Sequence, residues 1–346
     1  MKSNTLQLRR ALSTALFVLL LSVAGTKNAL AQNQVATLQH NDTITAVFYG
    51  QNALVSAHSA AVAGDIITLS SGTFNNSNIT KSIIIHGAGC VYDSITQVMP
   101  TIISGDFQLR SNNISFEGIQ FTGSISFPPY QFETANGVHF TKCHIANLVN
   151  NGNQGNDKCY DYCFHNCILN NFSLRNYYNA QIINSVVRFT RYTHTDIYNP
   201  TNIYNSVVLF DNGWPINNLI AYNSIIATVS GHEVSNCTFF NCIGIETGET
   251  LLFDGQTVQN VMEVNSYEDV FETFTGEVTN DNIYQLKEDI ATTFLGNDGT
   301  EVGIYGGMMP YRTRPNYMII KNCNVAGRTT EDNKLGVEME LLNAGE

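Results

Sequence analysis

A six-residue unit recurs through the middle of the chain: an apolar residue, a variable one, Asn, Cys or Ser, then two mostly β-forming residues. It reads Phe164-His165-Asn166-Cys167-Ile168-Leu169, Ile182-Ile183-Asn184-Ser185-Val186-Val187, Ile203-Tyr204-Asn205-Ser206-Val207-Val208, Ala221-Tyr222-Asn223-Ser224-Ile225-Ile226 and Val234-Ser235-Asn236-Cys237-Thr238-Phe239. Phe140-Thr141-Lys142-Cys143-His144-Ile145 is the same unit with Lys for Asn. The Cys/Ser positions 143, 167, 185, 206, 224 and 237 are separated by 24, 18, 21, 18 and 13 residues, the unevenness of a constant strand joined by variable loops. Repetition on this scale points to a solenoid.

Ile, Val, Phe and Thr dominate these units and a polar Asn interrupts each one, which fits strands and not a 3.6-residue period. Each unit is therefore a strand, a sharp bend and a second strand. Asn tolerates the left-handed backbone region that a bend needs, and stacked Asn amides can bond along the stack. Period-two alternation puts the Cys/Ser position and the residue two further on inside the coil. The position before Asn then points outward, giving a column of Thr141, His165, Ile183, Tyr204, Tyr222 and Ser235.

The flanking segments extend this all-β reading. Gln51 to Ala63 is Ala-rich and helical in pattern, and a short helix there would cover the open edge of the first coil. Residues 66–69, 83–86 and 114–121 read as strands that begin the stack. After Gly307 the pattern changes: 310–315 read as a linker, and Tyr317 to Val325 and Lys334 to Leu342 alternate like two strands of an extended appendage over 310–346. That appendage would pack on its own chain or dock a protein partner. Residues 32–309 form the expected parallel β-helix domain.

Residues 1–31 have the pattern of an export signal: Lys2, Arg9 and Arg10, an apolar stretch from Ala11 to Ala24, and an A-x-A site at Ala29-Leu30-Ala31. This predicts an exported protein, periplasmic, outer-membrane-associated or extracellular. No later segment reaches the roughly 20 apolar residues of a membrane span.

Gly64-Asp65-Ile66-Ile67-Thr68-Leu69-Ser70-Ser71-Gly72-Thr73-Phe74 and Ile79-Thr80-Lys81-Ser82-Ile83-Ile84-Ile85-His86-Gly87-Ala88-Gly89 resemble the opening coils of secreted right-handed parallel β-helix proteins of the pectin-lyase-like superfamily. Tyr284-Gln285-Leu286-Lys287 and Asn297 to Gly307 resemble the closing segment of such proteins from Bacteroidetes. The resemblance spans roughly 45–310. It implies the fold, while the superfamily holds lyases, hydrolases and adhesins alike.

Only 13% of residues are charged and the formal net charge is −12, which argues against nucleic acid as a partner. An acidic hydrolase of the family resembled would show paired aspartates supplying an acid and a base, and no Asp-Asp pair occurs. A lyase would need carboxylates for Ca²⁺ plus an Arg or Lys base; Asp157, Asp161, Asp196, Asp211 and Glu233 are scattered through the repeats. Arg188, Arg191, His194 and Asp196 form the most reactive-looking window, readable as an anion-binding or acid–base group or as a solvated loop. Cys159, Cys163 and Cys167 would suggest a metal on a helix, but their neighbours read as strand, so no metal ligand set is assigned. Cys143 and Cys167 lie on adjacent rungs with parallel Cβ directions, which favours packing thiols over a disulfide.

A binding surface is better grounded. Tyr204 and Tyr222 fall on neighbouring rungs beside His165, and Trp214 lies in a loop. Aromatic rings and amides suit sugars, although exposed Tyr also favours strand by itself. The sequence thus predicts a non-catalytic, cofactor-free exported protein that binds glycans or a cell-surface component. A polysaccharide lyase or glycoside hydrolase acting on a uronic-acid-containing polymer, and a structural component docked through its C-terminal strands, are the competing readings.

Overall fold

A computed structural model describes residues 34–342, apart from 95–96, 128–134, 150–158, 176, 194–198, 212–214, 229–230, 248–251, 280–281, 313–318 and 330–334. The chain winds into a parallel β-solenoid of about eight turns. One sheet face stacks in register through Ile67, Ile85, Phe116, Phe140, Phe164, Ile182, Ile203, Ala221 and Phe239. These side chains are fully or almost fully buried and point inward. The second face carries Ile103, Phe121, Ile145, Leu169, Val187, Val208 and Ile226 into the same core.

The bend between the two faces explains the Asn column. Lys142, Asn166, Asn184, Asn205, Asn223, Asn241 and Asn260 have φ from 44° to 55°, the left-handed region that, after Gly, Asn enters most readily. A second corner repeats the device with Asn113, Asp161, Asn179, Asn218 and Asn236, at φ from 52° to 60°. This overturns one assignment of the repeat. Ser235, Asn236 and Cys237 belong to the second corner, where Val234–Ser235 pairs with Ile216–Asn217. The first-corner unit of that coil is Phe239-Phe240-Asn241-Cys242, so Phe240 and not Ser235 continues the outward column.

After each first corner the hydroxyls form a ladder. Ser185 Oγ accepts from the Cys167 N–H at 3.0 Å, Ser206 Oγ from the Ser185 N–H at 3.1 Å and Ser224 Oγ from the Ser206 N–H at 3.1 Å. Each hydroxyl also donates at 2.7 Å to the carbonyl two residues earlier. A small polar side chain is thus required where the bend turns an N–H out of the sheet. Cys at the same positions directs its thiol to the same carbonyl, as in Cys143, Cys167 and Cys242. Cys90, Cys143, Cys159, Cys163, Cys167, Cys237 and Cys242 are free.

The expected N-terminal elements are present. Strands β1 (Val35–His40) and β2 (Thr43–Tyr49) form an antiparallel hairpin, and β1 pairs with Ile66–Leu69 of the first coil. Helix α1 (Ala53–Ala60) buries Ala53, Leu54 and Ala57 against the core. Buried Asp65 accepts the Val62 N–H at 2.8 Å and meets His40 Nδ1 at 2.6 Å. Burial favours the neutral acid, but the Val62 hydrogen bond and His40 outweigh it and hold the carboxyl below its ordinary value. Because the folded value is depressed, this stabilisation is complete above the unfolded pKa of about 3.9 and is lost as pH falls through the folded one. Asp65→Asn should therefore weaken the loss of stability below about pH 4, read from denaturant midpoints across an acid series; an unchanged acid slope would show that Asp65 plays no such part.

The C-terminal third departs from the coil. Thr257–Val264 is the last coil strand, and the described residues of 265–311 then run back along the flank as a strap. Val270, Phe271, Phe274, Tyr284, Leu286, Val302 and Ile304 cover the outward positions Ile168, Val186, Val207, Leu209, Ile225, Ala227, Ile243 and Ile245. Corner amides hold the strap in place of the amide-to-amide stacking expected there. Asn184 Nδ2 donates to the carbonyls of Ile304 and Gly306, and Asn223 exchanges bonds with Asn297. Stacked amides survive at Asn260–Asn241, 2.6 Å. Gly306 is required because a Cβ there would strike the Glu301 carbonyl. The appendage is an antiparallel hairpin of Ile319–Thr329 and Leu335–Leu342 in a sheet of its own.

Candidate functional site

The strap covers the outer side of the second face and leaves that of the first face open. Each first-face strand presents one residue inward and one on either side of it outward. One outward column runs His139, Cys163, Gln181, Asn202, Ile220, Thr238; the other runs Thr141, His165, Ile183, Tyr204, Tyr222, Phe240. All are partly or fully exposed.

The expected neighbours Tyr204 and Tyr222 lie on adjacent rungs, with ring centroids 5.4 Å apart and planes 5° from parallel. Phe240 extends the stack at 4.9 Å and 19°. The rings thus turn their faces on one another, and their edges and phenol groups toward solvent. A sugar cannot insert against an inner ring face without breaking the stack. What the ladder offers is an apolar ridge edged with two hydroxyls, flanked by the Asn202, Gln181 and Thr238 side chains.

Between His139 and Phe240 neither column contains a carboxylate, Lys or Arg. Burial, then the Lys142 ammonium, lowers the His165 pKa and favours its neutral ring at neutral pH. Burial raises the Cys163 and Tyr204 values, with Tyr222 adding to the latter, which keeps the thiol and phenol protonated. On a chain of net charge −12, this face is neutral.

The residues of the reactive-looking window are placed differently. Arg188 and Arg191 belong to the strand Val186–Thr193 and not to a loop. Arg188 Nε donates to Asp211 Oδ2 at 2.5 Å, and Asp211 is buried. The strap's Tyr267 lies near enough to both that Asp211 raises and Arg188 lowers its pKa, although burial is the larger cause. Arg188 thus forms a structural ion pair at the strap. His194, Asp196 and Trp214 lie outside the described residues. Cys159, Cys163 and Cys167 are separated by a corner on either side of Cys163 and do not share a face.

Sequence reasoning missed Phe240, Asn202 and Gln181. The signal for Phe240 was the 18-residue interval from Ser224 to Cys242, which matches the intervals before it. The chain matches no family model, no curated protein and no solved structure.

Proposed function

We propose that this is an exported, non-catalytic solenoid that binds a neutral, extended glycan along the open first face. The observation that carries the reading is the neutral double column with its Tyr204–Tyr222–Phe240 ridge. Rungs repeat about every 4.8 Å, so an extended polymer lying along the axis meets one pair of outward side chains at each step. Amides and phenols supply donors and acceptors for sugar hydroxyls, and the ridge supplies apolar contact. The export-type N-terminus and the resemblance to secreted pectin-lyase-like proteins support an extracellular polymer as ligand. Arg188 is neutralised by Asp211, which argues against its use as a lyase base.

Tyr204→Phe and Tyr222→Phe remove the hydroxyls and leave the stack intact, as Phe240 shows the position accepts Phe. Each lost hydrogen bond is worth about 0.5–1.5 kcal/mol, so each variant should bind a neutral polysaccharide up to about tenfold more weakly, read by affinity electrophoresis over a panel of neutral and uronic-acid polymers. No retention by any neutral polymer would refute the reading. Release of unsaturated or reducing ends from a uronic polymer would replace it with the lyase or hydrolase.

A further inference from the structure

Residues 305–310 leave the strap as a short loop, closed at its base by the Tyr311 N–H donating to the Ile304 carbonyl at 2.7 Å. The loop is held from both sides. On the strap side, the Gly307 N–H donates to Thr300 Oγ1 at 2.7 Å, and Gly306 lies so close to the Glu301 carbonyl that no Cβ fits. On the coil side, Asn184 Nδ2 donates to the Gly306 carbonyl at 2.8 Å, and a Cβ on Gly307, at φ 80°, would lie 3.1 Å from Asn205 Cγ. Asn184 and Asn205 are the corners that directly follow Ile183 and Tyr204 of the outward column. The loop therefore stands on the border of the open first face, beside the start of the aromatic ridge.

Its tip is Met308-Met309, 98% and 54% exposed. A single apolar residue in water is ordinary. Here two adjacent ones stand on a pinned backbone at the edge of the column Ile183, Tyr204, Tyr222 and Phe240, and extend its apolar strip sideways. At such exposure the Met308 side chain gains almost nothing from packing on its own chain, so the fold does not account for it. Met suits a surface that adapts to what it grips, being unbranched and polarizable with three rotatable bonds.

We infer that Met308 is a further ligand-binding residue of the first-face site, its side chain closing over a sugar ring that lies on the Tyr204–Tyr222–Phe240 ridge. This rests on the glycan reading above. The ridge offers ring edges along one side of a bound chain and leaves the other side of each sugar in water. Met308 stands on the strap side of the ridge, where a pinned loop carries a mobile tip. Closing it removes apolar surface of both the thioether side chain and the sugar from water.

The test is a titration of the chain, carbon-13-labelled at its methionine methyl groups, with soluble xyloglucan, glucomannan and mixed-linkage β-glucan as neutral probes. The Met308 methyl signal, assigned by its loss in Met308→Leu, should shift on binding, while that of Met262, packed against the strap, should stay in place. Met308→Ser should bind about three- to tenfold more weakly, the effect of losing partial burial of a Met side chain. Met308→Leu should bind like the wild type, and the urea midpoints of both variants should match it. A probe that binds and is weakened by Tyr204→Phe, yet leaves the Met308 methyl unmoved or holds Met308→Ser as tightly as wild type, overturns this inference alone. Binding to none of the neutral probes overturns the inference together with the glycan reading.

Discussion

Phe140→Ala should lower the unfolding free energy by about 3–5 kcal/mol, seen as a large fall in the urea midpoint. Phe140 is fully buried and stacked between Phe116, at 5.1 Å and 13°, and Phe164, at 5.4 Å and 3°. Phe121 meets it edge-on at 6.1 Å. The loss combines transfer of the ring with the cavity it leaves. Collapse can recover little, because hydrogen-bonded rungs on either side hold the backbone at the ladder spacing of about 4.8 Å. Phe140→Leu keeps much of the volume and should lose less than half as much. A fall under 1 kcal/mol for Phe140→Ala would mean that the stacked column does not carry the core.

Asn184 should show the other large effect, and the choice of replacement separates its causes. Its backbone sits at φ 44°, and its amide donates to Ile304 O at 3.0 Å and Gly306 O at 2.8 Å across a gap of more than a hundred residues. Asn184→Gly removes the amide and keeps access to the left-handed region. It removes the amide donor from the Gly306 carbonyl and leaves the Ile304 carbonyl the Tyr311 N–H alone, a cost of about 1–3 kcal/mol for a buried group left unsatisfied. Asn184→Ala adds the left-handed penalty of roughly 1–2 kcal/mol. Both should loosen the strap and speed proteolysis within 265–311, with Ala the more destabilised in denaturant melts. Equal effects of Gly and Ala would remove the backbone argument, and unchanged proteolysis would remove the strap's dependence on Asn184.

The strap was the part least legible beforehand, although its signal was present. Val186-Val187, Val207-Val208 and Ile225-Ile226 are apolar at both alternating positions, the mark of a strand buried on both sides. What covers the outward half lies far downstream, from Val270 on, in segments that repeat nothing. Cys237 misled for a related reason: both corners use Asn, and where Ile114, Tyr162 and Leu219 follow the second corner in other coils, Cys237 gives this one the Asn-Cys look of the first. The ladder, in which Phe240 pairs with Tyr222, tells them apart, as does the 18-residue interval from Ser224 to Cys242. The Tyr204–Tyr222 adjacency was legible from spacing; that the rings face one another was not.

What the sequence by itself determined is everything set by local backbone chemistry: Asn at left-handed corners, alternation into inner and outer columns, a Cys/Ser position inside the bend, and an Ala-rich helix over the first coil. Only the tertiary structure decided which outward columns stay in water, that Arg188 is neutralised by Asp211, and that corner amides serve the strap. Those outcomes depend on contacts between segments far apart in the chain. Periodicity gives each residue a direction, but not the partner that waits there.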